Sequence, residues 1–463
     1  MSVLSALFDN KIQNFEQAFG AKDVTTPEMR RAIQDWYGLY YMDRPTKEEN
    51  PCQRLPVVIV NKLTKTAFSE YKAETGGEGA KGKYIQTVLE ALDRVRKKAM
   101  QQALIGGACL LKPVFTPAGV CFGVVERRNY LVLGRNERDE ITDVGTAERT
   151  TLGKQYYTLL ERRTIGSDGR LTIESRLYRA DTADILGTQV PLASLEKYAA
   201  LRPVNTLPEP MFSLGLIPVN TPMENCVDGS PDCVSVYAAA AGLIHQINVN
   251  EAQLGGEFER GQSRIIASAD MVELDPSGQR RRLADDVFTG VDESPDEVGI
   301  TIFSPALREQ SFLARKMEYL RNVESVIGLK RGILSEVEAA QRTATEITSS
   351  AGDYNLTIID FQQMWERAVR ESVRVCDVLG RMYGLRGGSP VDPEKDISID
   401  FGNGVLYDED KVWADYMAMV ASGMMRPEIA LAWKFNLPWE TPEDLEKIRR
   451  TYLPELDALT GGD

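Results

Sequence analysis

The stretch Gly77-Glu-Gly79-Ala-Lys-Gly82-Lys83-Tyr84 is where phosphate chemistry could sit. It satisfies GxGxxG, and it satisfies GxxxxGK up to the final position. Loops of both kinds cradle phosphates with backbone N–H groups and follow a strand; the second also needs Ser or Thr to hold Mg²⁺. Tyr84 stands at that place, and the preceding FSEYKAET reads as polar helix. The stretch is therefore expected to be a flexible loop between helices. The single histidine is His245. One histidine excludes HExxH, Cys₂His₂ and multi-histidine metal sites and makes a Ser-His-Asp triad a poor fit. GxSxG is absent. His245 is read as a packed or interfacial side chain. Cys52, Cys109, Cys121, Cys226, Cys233 and Cys376 form no CxxC pair; they read as reduced thiols in a cytosolic setting. No catalytic residue, metal site or cofactor is expected.

Two basic groups remain. Arg280, Arg281 and Arg282 stand out as the basic triplet, just after Pro276-Ser-Gly278. They form either a solvated turn or a docking point for a protein partner or DNA phosphates. Lys330, Arg331 and Arg342 flank the start of the longest helical pattern. They are either ordinary surface or contacts to a phosphate backbone.

The elements that position these residues span a chain of 463 residues. That exceeds one compact core and predicts two to four structural units. The net charge is −14, whereas a simple DNA-binding module is basic. Such a chain does not hold DNA tightly over a broad surface, although weak walls suit DNA that must slide. The start, MSVLSALFDNKIQNF, lacks the pattern of a signal peptide. The most apolar run, Val236 to Ile244, covers about half a bilayer span, so no membrane segment is expected.

Thr26-Pro27-Glu28 gives a helix start, with Ile33, Trp36, Tyr37 and Tyr40 following at helical spacing. Leu55 to Tyr71 reads as a second helix. Ile85, Val88, Leu89, Leu92 and Val95 form one face of a third, ending near Gly106-Gly107. From Cys109 to about Val219, short apolar runs alternate with Gly, Asp and Asn, as in GSDG at 166–169; this predicts an antiparallel sheet with hairpins. Cys233 to Arg260 reads as helix. Residues 262–304 form an island of short strands with nine acids and four arginines, and a helix follows from about Pro305 to Ile327. The longest helix opens with Thr343-Ala-Thr-Glu346, a capping box. Its stripe comprises Ile347, Tyr354, Ile358, Phe361, Trp365, Cys376, Leu379 and Tyr383, and Gly384 is a natural stop. At 1.5 Å per residue it would be roughly 60 Å long. A strand at Ile397 and three short helices complete the chain.

This order, with five short motifs in sequence, resembles the portal proteins of tailed double-stranded DNA bacteriophages. Within them it is most similar to the subgroup of long, flexible-tailed phages of Gram-positive hosts. Arg342-Thr343-Ala344-Thr345-Glu346-Ile347 looks like that subgroup's "TATE" helix start. FSPALREQ at Phe303 to Gln310 and VESVIGL at Val323 to Leu329 resemble its clip exit and second stem helix. CQRLPVVIVNKLTKTAFSE and MVASGMMRPEIALAWKFN resemble its "LP" helix and its C-terminal helix pair. Two departures are visible: a short tail after Tyr452, and the acidic SEVEAAQ where a more basic loop would stand.

The resemblance implies an α+β fold with a mixed α/β wing, a helical stem, a small β-rich clip, a long spine helix and a short helical crown. Its boundaries here would be wing 1–230, first stem helix 231–261, clip 262–304, second stem helix 305–328, tunnel loop 329–342, long wing helix and strand 343–410, and crown 411–463. It implies a non-enzymatic subunit of a closed ring, usually of twelve copies, at the unique portal vertex of the capsid, assembled in the host cytoplasm. Such a ring conducts DNA in packaging and ejection, and meets terminase, head-completion adaptors, and major capsid and scaffolding proteins. Lys330, Arg331 and Arg342 would face DNA in the tunnel, Thr343 and Glu346 would cap the helix behind it, and Arg264 with Arg280, Arg281 and Arg282 would dock partners at the clip. Twelve copies would sum to about −168, which discourages DNA from adhering in transit.

Overall fold

The structure is a computed structural model. It describes residues 14–41, 52–77, 79–116, 119–183, 185–261, 264–267, 300–303, 306–335, 344–402, 409–435, 437–439 and 441–453. Helix α1 (Pro27–Tyr41) begins where the sequence predicts, because the Thr26 hydroxyl accepts the Met29 N–H at 3.1 Å. It buries Ile33, Trp36 and Tyr37. Helices α2 (Leu55–Ala67) and α3 (Gly79–Gly106) pack beside it. Between them lies β1 (Lys72–Thr75), so part of FSEYKAET is strand and not helix. Its partner is β13 (Ile397–Asp400), antiparallel and far downstream, a pairing that local periodicity does not reveal.

The expected β region forms two antiparallel sheets. The smaller has the order β10-β2-β3, from Ile217–Asn220, Ala108–Thr116 and Gly119–Glu126. The larger runs β4 (Tyr130–Arg135), β5 (Ile141–Leu152), β6 (Gln155–Ile165), β7 (Leu171–Ala180) and β8 (Thr188–Val190), with β9 (Val204–Thr206) also on β7. The GSDG turn closes the β6–β7 hairpin, with the Gly166 N–H donating to the Arg170 carbonyl at 2.9 Å.

The helix expected from Cys233 to Arg260 is shorter than predicted. Helix α4 spans Ala241–Arg260 and leaves Val236–Ala240 in turns. The cause is a tertiary tie: the Val236 N–H and the Ser235 hydroxyl both donate to the Leu104 carbonyl, at 3.0 Å each. Strands β11 (Arg264–Ala267) and β12 (Ile300–Phe303) pair at the base of the island. Helix α5 (Glu309–Ile327) returns alongside α4.

The longest helix, α6 (Ala344–Met382), has 39 residues and a length of about 58 Å. Tyr354, Ile358, Phe361, Trp365, Cys376 and Leu379 are buried as the stripe predicts. Tyr383 is not: it lies beyond the last helical residue and is 56% exposed. Gly384 takes φ 66°, and the Leu385 N–H reaches back to the Gly380 carbonyl at 2.8 Å, the bond that ends a helix in a left-handed cap. Trp365 sits edge-to-face with Phe68 at 5.7 Å and joins α6 to α2 in the main core. Helices α7 (Glu409–Ala421), α8 (Pro427–Lys434) and α9 (Pro442–Tyr452) pack on one another at the end, and Thr441 with Asp444 forms a capping box on α9.

Candidate functional site

The antiparallel pair α4–α5 changes character along its length. Toward α1 it is apolar, with Ile244, Ile247, Leu320, Val323 and Ile327 buried. Toward the island it is held by polar groups. Arg315 donates to Asn250 Oδ1 and to Gln253 Oε1, both at 2.6 Å, and Asn250 Nδ2 donates to the Phe312 carbonyl at 3.1 Å. Lys316 lies 2.8 Å from the Glu251 carboxylate. At the outer end Arg308 forks onto Glu257 at 3.0 and 2.8 Å. Asn250 is fully buried, so its two hydrogen bonds remove what would otherwise be a desolvation cost.

The other end of α5 carries the turn that precedes the long helix. Gly328 has φ 77°, and a β-carbon there would meet the Thr357 hydroxyl of α6 at 2.9 Å. Glycine is required both by conformation and by this close approach. The next residues fold around Glu324, which is fully buried. Its Oε1 accepts the N–H groups of Gly332, Leu334 and Ser335 at 3.1, 2.6 and 2.9 Å, and its Oε2 accepts the Ser335 hydroxyl at 2.7 Å. Four donors on one carboxylate make a charge-assisted clamp. Lys330 and Arg331 sit exposed on the clamped turn. Ser335 is buried at 8% exposure because it is part of the clamp.

Arg264 is placed on β11, opposite Phe303. Since α4 leads into β11 and α5 leads into the clamped turn, these sites lie at opposite ends of the α4–α5 pair, about 28 Å apart over the 19 residues of α5. Arg280, Arg281, Arg282, Arg342 and Thr343 lie outside the described residues. Glu346 falls in the first turns of α6, where only the backbone is described.

The glycine-rich stretch does follow a strand, contrary to expectation, but it is closed. A β-carbon on Gly82 would meet the Gly77 carbonyl oxygen at 1.9 Å, and Lys81 lies 2.5 Å from Asp396. Tyr84 donates to the Cys376 carbonyl of α6 at 2.6 Å. The loop therefore packs against its own helix, and its Mg²⁺ position is a tyrosine engaged elsewhere. His245 Nε2 lies 3.0 Å from Asp35 and fastens α4 to α1. A cleft of about 510 Å³ between the sheets contains Arg127, Arg135 and Asp232. Asp232 bridges both arginines, at 3.4 and 2.7 Å, which leaves it no role as a free acid or base. Among the described residues no group of His, Cys, Asp and Glu is placed to hold a metal, and no helix is long and apolar enough to cross a membrane.

Helices α4 and α5, joined through the β11–β12 pair, are followed by a clamped turn and one very long helix. The family model described as "Phage portal protein, SPP1 Gp6-like" matches residues 65–451. The chain belongs to this phage portal protein family. The mixed α and β content agrees with the portal α+β architecture, and the family is structural, not enzymatic. No curated protein matches the chain.

Reading the sequence of this portal chain missed three features. Glu324 sits on the buried face of an ordinary helix, where no local signal marks a carboxylate that receives a later turn. Asn250 is equally silent. The third was visible: Arg96-Lys97-Lys98 is a second basic triplet, obscured by the helical pattern around it.

Proposed function

We propose that the chain is the ring subunit of a portal vertex, in the subgroup of long, flexible-tailed phages. Identical copies, twelve being the usual family number, close head-to-tail around a channel. Each copy offers two dissimilar surfaces, as such a ring requires. The ring passes DNA in packaging and ejection, docks terminase and then head-completion adaptors, and meets capsid and scaffolding proteins. It catalyses no reaction. Wing, stem, clip, tunnel loop and crown take the boundaries given above, so residues 262–304 face the partners and 329–342 face the channel.

The observation that carries this reading is the placement of the island and the clamped turn at opposite ends of one antiparallel helix pair, within a chain matched to the family over residues 65–451. One end can present a docking surface while the other holds a loop in the channel. The closed glycine loop argues against a nucleotide-binding alternative. The test is native mass spectrometry with negative-stain imaging of the purified protein at micromolar concentration. Rings with an axial hole are expected. Monomers under every salt condition would refute the proposal; monomers only at high dilution would not, because ring closure follows mass action.

A further inference from the structure

The chain carries 68 acidic and 54 basic residues, and most of its buried or half-buried cations are already ion-paired. One face departs from this. Segments 61–65 of α2 and 93–98 of α3 hold six cations, Lys62, Lys65, Arg94, Arg96, Lys97 and Lys98, against one carboxylate, Asp93. The two helices meet there, since Gln101 Nε2 donates to Asn61 Oδ1 at 2.9 Å. Lys62 follows Asn61 directly and Lys65 lies one turn on, while Lys97 and Lys98 lie one turn before Gln101, so the cations flank this contact. Lys62, Lys65, Arg94, Lys97 and Lys98 are all exposed, and none has a carboxylate partner among the described residues. Asp93 is taken by Arg96.

We propose that this face, apart from the Lys330–Arg331 turn, binds the phosphate backbone of double-stranded DNA without reading sequence. The argument is one of chemistry and spacing. Lys62 and Lys65 are about 4.5 Å apart along one helix, Arg94 and Lys98 about 6 Å along the other. With helix axes 8–10 Å apart, about five positive charges cover one turn's width of a phosphate strand. Most are lysines, hydrated point charges that suit loose phosphate contact more than bidentate base recognition. The nearby aromatic faces are occupied, because Arg96 lies over Phe68 and Tyr71 at 5.6 and 5.1 Å. No stacking platform for single-stranded bases is left there. A protein partner is less favoured: interface anchors are buried aromatic or apolar groups, α3 exposes no large apolar side chain, and α2 exposes only Val58.

The test uses the assembled full-length protein and a fluorescent random-sequence 30-base-pair duplex, with anisotropy read from 20 to 200 mM NaCl. The perturbed protein carries Lys62→Glu, Lys65→Glu, Lys97→Glu and Lys98→Glu; a Lys→Gln version of the same four guards against misfolding, and a Lys→Arg version should restore binding. Wild type should bind with a log K against log salt slope of about −4 to −5 per patch. The charge-reversed protein should bind at least tenfold more weakly at 50 mM and with a shallower slope. Unchanged binding would overturn the proposal and assign DNA contact to residues such as Lys330 and Arg331. Equal binding of polyglutamate, competed by the duplex at no lower concentration, would also overturn it in favour of an acidic protein segment. Imaging the same samples separates this from the portal reading: intact rings that bind no duplex sink only the patch, and absence of rings counts against the ring.

Discussion

Replacing Glu324 by glutamine keeps the size of the side chain and removes its charge. The carboxylate accepts three backbone N–H groups and one hydroxyl, all between 2.6 and 3.1 Å. A hydrogen bond to a charged group contributes about 1.5–3 kcal/mol and a neutral one about 0.5–1.5 kcal/mol. Glutamine keeps one carbonyl oxygen for the three N–H groups and turns its NH₂ toward a serine oxygen that can accept. The loss is thus about 1 kcal/mol for each of two or three bonds, or about 2–3 kcal/mol for the turn. Glu324→Ala orphans all three N–H groups and should cost about 3–5 kcal/mol. Hydrogen exchange of the 329–335 segment reads this directly, because local opening sets its protection. Exchange there should rise roughly 30- to 150-fold in Glu324→Gln, at 1.36 kcal/mol per tenfold, while amides in the middle of α6 stay protected. DNA retention in an assembled particle should fall with it. Exchange within threefold of wild type would show that the clamp does not hold the turn.

Thr343→Ala should preserve ring formation and loosen the chain before α6, at a cost of about 1 kcal/mol; packaging efficiency and ring imaging together check this. Replacing Arg280, Arg281 and Arg282 by alanine should weaken terminase or adaptor docking in a pull-down and leave the ring intact; ring loss with normal docking by residual rings would reject the assignment of 262–304. Glu161 gives a pH prediction. Burial opposes its charge, but Arg163 and Lys112 outweigh burial and lower its pKa from 4.5 to about 2. The folded value lies below the unfolded one, so the contribution of about 3 kcal/mol is present above pH 4.5 and lost as pH falls toward 2. The melting-temperature gap between wild type and Glu161→Gln should therefore be constant above about pH 5.5 and shrink below pH 4.5.

What the sequence made readable was local. Thr26 could be named as a cap because its partner is Met29, and Gly384 as a stop because the bonds it enables reach back only a few residues. The stripe on α6 was legible from Tyr354 to Leu379 because one periodicity governs it. Features set by a distant partner were not. Nothing near Lys72 announces a strand whose partner is Asp400, and nothing near Val236 announces that Leu104 will take its N–H. Glu324 looks like any carboxylate on a helix until the chain turns back on it. At the site itself, Lys330 and Arg331 could be picked out by charge, and the clamp beneath them could not.

The graded seam between α4 and α5 has a mechanical meaning. Where Leu320, Val323 and Ile327 interlock, the helices part only by opening a void, which resists strain in every direction. Where the exposed guanidinium of Arg308 meets Glu257, the arginine can trade its bond for hydration more cheaply than a buried contact can open. The α4–α5 pair is therefore a cantilever, fixed at the end beside α1 and compliant at the end beside β11 and β12. Tilt imposed through β11 and β12 is absorbed at that end of the seam, and the turn clamped by Glu324 is spared it.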